Sequence, residues 1–473
     1  MSKYNNKNIG GIEMKECKIL LIDPFCKNPK YESPNAKLGY TSAILEKKGY
    51  ETEILDFLIN DIENVKEQDF FELKRRFYEQ IIKVAKEYKF VYINCEYGLL
   101  KTCIDIAKML PENIVIVGGT FTNYLYAAKQ LDLSKLEAIN YISLGDPECD
   151  VINIVENKEK YIVEKYKDIN LYNSGMINKL DEIPYPNWGK YDLSKYDGKL
   201  YLVASKSCSY NKCKFCDERL IWGNRFRIRN YENIIDEIKY DIENYNINQF
   251  FFWDASITAY PYLKELCERI IEEKIDCKWT ALIRADEITE EMAILMKNAG
   301  CYSIEIGIES LNNEVLESMN KGEDVATIVK AIEILKKNDI VVEGSFLIGY
   351  YEDTKESILN TIEESKKLNI DFYRWHNLEL AAEYLLNNPN VIEAEWHELD
   401  LNYPNQFLNE KIVGHIAGYF DMHIVSKMGD KKPKEYPNIK IGNLTLMEIH
   451  DLTRKAINET ADLITEEGHN PYI

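Results

Sequence analysis

The chain has 473 residues, more than one compact core usually covers, which predicts roughly two to three domains. Its formal net charge of -21 makes the surface repel polyanions, and the sequence has no strong basic patch, so a nucleic-acid partner is not expected. No apolar run is long enough to cross a bilayer, and the 11 cysteines lack the regular spacing of a secreted disulfide scaffold. These features predict a cytoplasmic protein without a membrane partner.

The first part of the chain, residues 1–154, alternates strand and helix patterns. Strands are predicted in CKILLIDPF, TEILDF, KFVYINCEY, NIVIVGGTF and AINYISLGD, with helices between them. This alternation predicts a doubly wound, Rossmann-like parallel sheet whose ligands bind at the carboxyl ends of the strands. Gly118 and Gly119 follow one such strand, where they allow either a close ligand or only a tight turn. Residues 155–198, with two prolines and an exposed Trp188, are predicted to be a linker.

The alternation resumes over residues 199–376, with six predicted strands that are each followed by a helix or an extended tail. This pattern predicts a partial (β/α)6 barrel of the TIM type. Polar residues recur at the carboxyl ends of these strands, the face that carries active sites in such barrels: the cysteine loop, Asp254, Arg284, Glu309, Glu352 and His376. Residues 377–473 predict a mainly helical C-terminal region, a candidate for substrate binding.

The stretch SKSCSYNKCKFC holds Cys208, Cys213 and Cys216 on one predicted loop. A structural zinc site needs four ligands, and the next cysteine and histidine along the chain are only Cys267 and His376. A disulfide does not fit a reducing cytosol. Three thiolates without a fourth protein ligand suit a 4Fe-4S cluster whose remaining iron is open to a small molecule, with zinc or an inert loop as the alternatives.

Four stretches resemble, in order and spacing, segments of the radical S-adenosylmethionine (SAM) superfamily: CKFC, RFRIRNYENIIDEI, MKNAGCYSIEIGIES and GSFLIGYYEDT. The resemblance runs from about residue 15 to residue 376. It implies that the open iron of the cluster binds the amino and carboxylate groups of SAM. The positions that the resemblance assigns to SAM binding are Phe215, Asp254, Arg284, Gly307, Glu309, Ser310, Gly349 and Glu352.

The sequence departs from the superfamily pattern in three places. Four residues, rather than the usual three, separate Cys208 from Cys213. A Trp-Asp-Ala stretch replaces the usual glycine-rich turn after the second barrel strand, and its Asp254 is expected to meet the SAM amino group instead. A Tyr-Glu pair that ends at Glu352 stands where many relatives have proline and glycine.

The first domain resembles the cobalamin-binding domain that precedes the barrel in one large branch of the superfamily. The stretches VGGTFTN, SLGDPE and DEIPYP are similar to its strand-end and linker motifs. The positions that this resemblance assigns to the corrin are Tyr97, Gly118, Gly119, Thr120, Gly145 and Glu148. A domain that kept the fold and lost its ligand is the alternative.

The resemblance implies that the reduced cluster passes one electron to SAM, and that the resulting 5′-deoxyadenosyl radical takes hydrogen from an unactivated carbon. With cobalamin we expect methylation of a small molecule or peptide, and without it a rearrangement or cyclisation. The expected electron donor is a flavodoxin or ferredoxin. Tyr373, Arg374 and His376 are expected to contact the substrate, although Tyr373 and Trp375 also fit the barrel core. No catalytic residue is assigned.

Two other functional classes remain open. An enzyme of the transfer-RNA methylthiolation type would share the two-domain order, but the acidic charge and the lack of a basic C-terminal module argue against it. A non-enzymatic iron-sulfur or metal-binding protein would make the polar residues at the barrel rim incidental.

Overall fold

The computed structural model describes residues 17–27, 33–59, 67–96, 99–127, 129, 131–196, 198–216, 218–378 and 440–465. The chain divides into two compact units at residues 197 and 198. Among the described helices, none combines the length and the apolar composition that a membrane crossing requires.

The first unit is built on one twisted sheet. Its strands are β1 (Lys18–Lys27), β2 (Glu51–Leu58), β3 (Phe90–Asn94), β4 (Ile114–Gly118), β5 (Tyr141–Ser143), β6 (Ile162–Tyr166) and β7 (Ile169–Tyr172), and its helices are α1 (Ala36–Lys47), α2 (Glu67–Ala85), α3 (Leu100–Lys108), α4 (Thr120–Ala127) and α5 (Pro147–Val155). In the described residues the strand order is β2-β1-β3-β4-β5-β7-β6. Neighbouring strands run parallel except β6 and β7. This confirms the predicted doubly wound sheet.

The segment 155–198, expected as a linker, contributes two strands to this sheet. Strand β7 pairs with β5, and β6 forms the edge beyond it. Residues of β6 are mostly exposed, so the strand lacks the apolar pattern by which a sequence predicts one. Trp188, expected to be exposed, is fully buried, and a Cβ added to Gly39 would lie 3.6 Å from its ring. The turn-forming residues of this segment therefore shape a packed part of the first unit.

The second unit is a partial barrel with its helices outside. Its elements are β8 (Lys199–Leu202), β9 (Ser205–Lys206), α6 (Glu218–Trp222), β10 (Arg227–Ile228), α7 (Tyr231–Tyr245), β11 (Gln249–Phe252), α8 (Leu263–Glu272), β12 (Lys278–Ile283), α9 (Glu290–Asn298), β13 (Cys301–Glu309), α10 (Asn313–Ser318), α11 (Val325–Lys337), β14 (Val341–Ile348), α12 (Lys355–Ser365) and β15 (Phe372–Asn377). Within the described chain, the parallel barrel sheet has the order β15-β14-β13-β12-β11-β8. This confirms the predicted six-stranded barrel.

Strand register decides which side chains enter the barrel. Glu305 on β13 lies opposite Glu343 on β14. Successive side chains of a strand point to opposite faces, and Arg374 on β15 reaches Glu343 from the same interior face. Trp375, the next residue along β15, therefore points outward.

The C-terminal region closes the outer side of the last barrel strand. Its described part, residues 440–465, contains β16 (Lys440–Ile441), β17 (Leu444–Thr445) and α13 (Leu446–Thr460). A capping box of Thr445 and Glu448 begins α13. The indole of Trp375 donates a hydrogen bond to Thr460 of this helix at 2.9 Å. Residues 379–439 and 466–473, also predicted as part of the C-terminal region, lie outside the described residues.

Candidate functional site

Asp254 fixes the start of the cysteine loop, which runs from β9 to α6. It is buried just beyond β11, and its carboxylate accepts hydrogen bonds from the backbone amides of Ala204 and Ser205 and from the Ser205 hydroxyl. Burial raises the pKa of Asp254 to about 7, against the lowering effect of these donors. Both carboxylate oxygens thus hold the strand that leads into the loop, and this position does not support the expected contact with the SAM amino group.

The three cysteines of the loop are partly buried. Burial raises the pKa of the Cys213 thiol to about 11, although Lys321 and Arg284 act to lower it. Burial also raises the pKa of Cys216. Such thiols become thiolates when they bind a metal, whose positive charge replaces the lost hydration. Deprotonation of Cys213 and Cys216 is therefore coupled to metal binding.

The donor set fits a 4Fe-4S cluster. Within the residues that the structure describes, no three His, Cys, Asp or Glu side chains are grouped to hold a single metal ion. Each cysteine of a cubane cluster binds a different iron, so three thiolates along a loop can hold the cluster and leave one iron open. The backbone amide of Asn211 donates to the sulfur of Cys208 at 3.5 Å, the kind of bond that tunes cluster potentials. Phe215 is half-buried beside the last cysteine.

A buried charged network lies beside this loop. The ammonium of Lys321 is 3.3 Å from Oε1 of Glu309 and 3.2 Å from Oε2 of Glu323. Arg284 donates to both carboxylate oxygens of Asp286, at 3.0 and 3.1 Å, and to the backbone carbonyl of Lys321 at 3.0 Å. The structure therefore brings two residues expected at the SAM site, Arg284 and Glu309, into one network.

The sequence pattern does not identify Lys321 and Glu323 as site residues, although both lie in the stretch MNKGED after α10. Gly307 makes room for this network, because a Cβ there would lie 2.7 Å from Oε1 of Glu309 and 3.0 Å from Nζ of Lys321. Glu309 itself has a left-handed backbone, with φ of 62°, a conformation that is uncommon outside glycine and concentrates at functional sites. Charges in a predicted loop usually indicate solvent exposure, which is why the sequence alone does not single out this pair.

Three further positions expected at SAM take part in packing or lie at the surface. The hydroxyl of Ser310 is 3.2 Å from that of Thr361 on α12. Gly349 has φ of 87°, and a Cβ there would lie 2.8 Å from Cδ1 of Ile449 on α13. Glu352 is exposed. The contacts of Ser310 and Gly349 show that both residues take part in barrel packing. The roles of all three positions toward SAM stay predictions.

The barrel interior holds a second buried ion-pair group. Arg374 donates to Oε2 of Glu343 from Nε at 2.8 Å and from Nη2 at 2.6 Å, and its Nε is 3.7 Å from Oε2 of Glu305. Ser303 donates to the other Glu343 oxygen at 3.2 Å. Burial raises the pKa of Glu305, whereas burial and Arg374 lower the pKa of His376 to about 3. The interior thus offers a neutral imidazole and carboxyl groups, with Arg374 already engaged.

Tyr373, the third residue expected to contact the substrate, points away from this interior. Its hydroxyl donates to the backbone carbonyl of Ser365 on α12 at 3.4 Å, and its ring stacks on Phe346 with centroids 6.2 Å apart. Strand alternation gives Tyr373 the outward direction of Trp375. Tyr373 therefore belongs to the core between sheet and helices, the alternative that the sequence left open.

The glycines expected near the corrin make room for the protein's own chain. A Cβ on Gly118 would lie 2.7 Å from Cβ of Ser143, and one on Gly119, with φ of 138°, would lie 2.7 Å from the carbonyl oxygen of Cys95. A Cβ on Gly145 would lie 2.8 Å from a neighbouring backbone carbonyl oxygen. Glycine is required here by close packing of the strand-end loops, whichever ligand they meet.

Thr120, expected at the corrin, lies with polar residues that the sequence did not reveal at the carboxyl ends of β1 and β3, where the strand order reverses. The ammonium of Lys37 is 2.6 Å from the hydroxyl of Thr120 and 3.0 Å from Oε1 of Glu96. Asn94 donates to Asp23 at 3.4 Å, and its Oδ1 is buried without a hydrogen-bond partner among the described residues. Ligands of doubly wound sheets bind at such reversal points. The available amide oxygen and the buried hydroxyl fit an amide-rich corrin.

Glu148 and Tyr97 are the other two residues that the sequence predicts at the corrin. Glu148 is buried in the first turn of α5. Tyr97 lies outside the described residues. Their roles toward cobalamin stay predictions.

Comparison with known proteins identifies the barrel. A family model described as the radical SAM superfamily matches residues 202–364, which include the cysteine loop and the strands β11 to β14. This part of the chain is a radical SAM domain. As a radical SAM enzyme it uses a 4Fe-4S cluster and SAM, and its reaction needs a substrate and a one-electron donor.

Relatives of this radical SAM enzyme cover most of its length. An uncharacterized methyltransferase of Pyrococcus horikoshii is 27% identical over 411 residues, which are 81% of this chain and 86% of the relative. Cytidylyl-2-hydroxyethylphosphonate methyltransferase of Streptomyces wedmorensis is 26% identical over 397 residues, 70% of this chain and 72% of the relative.

A solved structure shares the fold of both units. It is the radical SAM methyltransferase TsrM from Kitasatospora setae with cobalamin and a 4Fe-4S cluster bound, at 17% sequence identity and a TM-score of 0.60. The match covers 80% of this chain and 78% of TsrM, more than either unit alone contains. The fold is thus that of the branch in which a cobalamin-binding-type domain precedes the radical SAM barrel.

Proposed function

We propose that this radical SAM enzyme is a cobalamin-dependent methyltransferase that acts on an unactivated carbon of a small molecule or peptide. The observation that carries the proposal is the succession, in one chain, of a doubly wound sheet with buried polar residues at its strand ends and a barrel with a three-cysteine loop. TsrM, which shares this fold, is described as a methyltransferase with both cofactors bound. Two sequence relatives are also named methyltransferases.

Cys208, Cys213 and Cys216 hold the cluster in this proposal. When bound, the reduced cluster and SAM supply a 5′-deoxyadenosyl radical, and methylcobalamin supplies the methyl group. Lys321 and Arg284 place positive charge beside Cys213, which offsets the negative charge of three thiolates. The three cysteines are only partly exposed, which limits the access of water and protects reactive groups from side reactions.

The chain's proposed contacts with SAM are made around Glu309. Its carboxylate accepts hydrogen bonds from the ribose hydroxyls, and the ammonium of Lys321, 3.3 Å from Oε1 of Glu309, holds the carboxylate in place. Phe215 packs near the adenine. Gly307 leaves the space that both charged side chains need. Asp254 acts indirectly, because it positions the loop rather than SAM.

The corrin and the substrate have separate proposed sites. The corrin binds at the carboxyl ends of β1 and β3, where Asn94 and Thr120 offer buried polar groups. The substrate enters the barrel interior, where Glu305 and His376 contact it and Arg374 orients the carboxylate of Glu343.

The electron donor and the location follow from the redox chemistry. A flavodoxin or ferredoxin supplies the electron in this proposal. The cytoplasm is the proposed location, because it keeps thiols reduced.

The test is SAM cleavage by protein reconstituted without oxygen with iron, sulfide and hydroxocobalamin. With a reductant and methyl-labelled SAM, we expect 5′-deoxyadenosine and methionine, together with label on the bound corrin. The Cys216→Ala variant should give no 5′-deoxyadenosine. A wild-type protein with a full cluster that does not cleave SAM would contradict the radical reaction. Cleavage without label on the corrin would contradict methyl transfer and favour a rearrangement or cyclisation.

A further inference from the structure

The cysteine loop is one residue longer between its first two cysteines than the spacing usual in the superfamily, and Tyr210 lies in this longer stretch. Its ring lies against the guanidinium of Arg284, whose Cζ is 4.1 Å from the ring centroid. Its hydroxyl donates to the backbone carbonyl of Asn320 at 2.9 Å. One side chain therefore joins the loop to the end of β12 and to residues 319–322, named here the anchoring segment.

Backbone hydrogen bonds strengthen this connection. The side-chain amide of Asn320 donates to the carbonyl of Lys212 at 2.9 Å, and the amide of Lys214 donates to the carbonyl of Met319 at 2.9 Å. Each of these bonds uses a backbone group of the loop. The loop is thus held from Tyr210 to Lys214 by contacts that do not involve a bound cofactor.

The anchoring segment is shaped to accept the tyrosine. Gly322 has φ of 74°, and a Cβ there would lie 2.5 Å from the hydroxyl oxygen of Tyr210 and 2.8 Å from its Cζ. Any other residue at this position would displace the ring. Asn320 also has a left-handed backbone, with φ of 54°, which directs its carbonyl and side chain to the loop.

We propose that Tyr210 is a positioning residue for the iron-sulfur cluster. It fixes the longer loop before the cluster binds, and so places Cys208 and Cys213 for ligation. A loop that is ordered in advance loses less conformational entropy when it binds, so it holds its ligand more tightly. This inference rests on the cluster ligation proposed above.

The test compares cluster retention in three variants that differ in one side chain of the loop. Tyr210→Phe removes the hydroxyl, Tyr210→Ala removes the ring, and Ser209→Ala changes an exposed neighbour as the matched control. Protein reconstituted without oxygen is mixed with excess chelator, and the decay of cluster absorbance is followed. We expect loss to be about fivefold faster for Tyr210→Phe, the effect of one net hydrogen bond, and faster still for Tyr210→Ala. Ser209→Ala should match the wild type.

A double-mutant cycle isolates the contact between ring and segment. Gly322→Ala should speed cluster loss in the wild-type background, where its Cβ meets Tyr210, and much less in the Tyr210→Ala background. The backbone strain at this position is present in both backgrounds and cancels. Additive effects, or equal retention in every variant, would overturn the inference.

Two controls separate this inference from other outcomes. The melting temperature of each apoprotein shows whether a variant folds, and if Tyr210→Ala does not, Tyr210→Phe decides the question. A wild-type protein that takes up no cluster would contradict the proposed function. A wild-type protein that loads normally, with Tyr210 variants that hold the cluster equally well, would contradict only the role of Tyr210.

Discussion

The two units of this chain use the carboxyl edges of their parallel sheets differently. At the edge of the first sheet, Asp150 accepts hydrogen bonds from the hydroxyls of Ser143 and Ser174 and from the amides of Gly145 and Ser174, at 2.6 to 2.8 Å. At the edge of the second, charged side chains such as Lys321 pair with one another. Apart from the pair of Lys37 and Glu96, the polar groups described at the first edge are joined by hydrogen bonds, whereas those at the second are joined by ion pairs.

The difference has a physical basis in the cost of burying charge. Buried ion pairs add little stability, because desolvation offsets most of their attraction, so a fold seldom gains from them alone. The barrel has two such groups, one around Lys321 and one around Arg374. Buried charges that cluster in one part of a molecule commonly mark a functional site.

The largest expected effect is confined to the second unit. Cys213→Ala should abolish the cluster and SAM cleavage and leave the sheet of the first unit folded. Iron content and hydrogen exchange in β1 and β3 measure the two halves of this prediction. Cys149→Ala, in the first unit, is the matched control and should keep its cluster. Normal SAM cleavage by Cys213→Ala would refute the ligand assignment, and lost protection in β1 would refute the separation of the units.

Removal of one interior cation tests how strongly the barrel depends on its paired charges. Arg374→Met leaves Glu343 buried without its cation, which should lower the stability of the barrel by about 3 kcal/mol. Lys455→Met removes a surface partner of Glu459 and should cost less than about 1 kcal/mol. Urea unfolding followed by hydrogen exchange in β14 and β15 measures both. Equal urea midpoints for the two variants would show that the interior ion pair contributes no more to stability than the surface pair.

A matching substitution in the first sheet tests its hydrogen-bonded edge. Asp150→Ala leaves the donors of Ser143, Gly145 and Ser174 without their acceptor and should destabilise the first unit by about 2 kcal/mol. Asp105→Ala, which removes a surface ion pair with Lys101, should change stability by less than about 1 kcal/mol. Hydrogen exchange in β4 and β5 measures the change. Unchanged protection in Asp150→Ala would contradict the role given to this carboxylate.

The smallest expected effect is a pH dependence of the barrel. The folded-state pKa of His376, about 3, lies below its ordinary value, so protons favour the unfolded chain. The contribution of the neutral His376 imidazole to the free energy of unfolding is complete above about pH 6.5 and decreases as the pH falls toward 3. Between about pH 7 and about pH 5, apoprotein should lose roughly 1 to 2 kcal/mol more stability than the His376→Gln variant. Parallel urea midpoints for the two proteins across this range would contradict the burial of a neutral imidazole.

Local patterns in the sequence predict the elements and the ligands. Alternating strand and helix patterns predict both sheets, because each strand carries its apolar residues in sequence. The cluster loop is also predicted by a local pattern, because Cys208, Cys213 and Cys216 all lie within nine residues of the sequence.

Contacts between distant residues were not predictable in this way. Strand β6 is recognisable only from its pairing with β7, and the outward direction of Tyr373 depends on strand register. Lys321 is 108 residues from Cys213 in sequence, so its place beside the loop follows from the way that the barrel closes. From its position in the sequence, Asp254 is expected to bind SAM. In the structure its carboxylate instead accepts hydrogen bonds from the backbone amides of Ala204 and Ser205, which lie 50 and 49 residues earlier in the chain.

The most direct test of the contrast between the two edges is cofactor analysis of protein purified without oxygen from cells supplied with iron and cobalamin. We expect about four iron atoms and about one corrinoid per chain, with cluster absorption that disappears in Cys213→Ala while the corrinoid stays bound. Iron without corrinoid, even after incubation with excess cobalamin, would contradict the role given to the first sheet. A protein that binds no cluster would contradict the role given to the second.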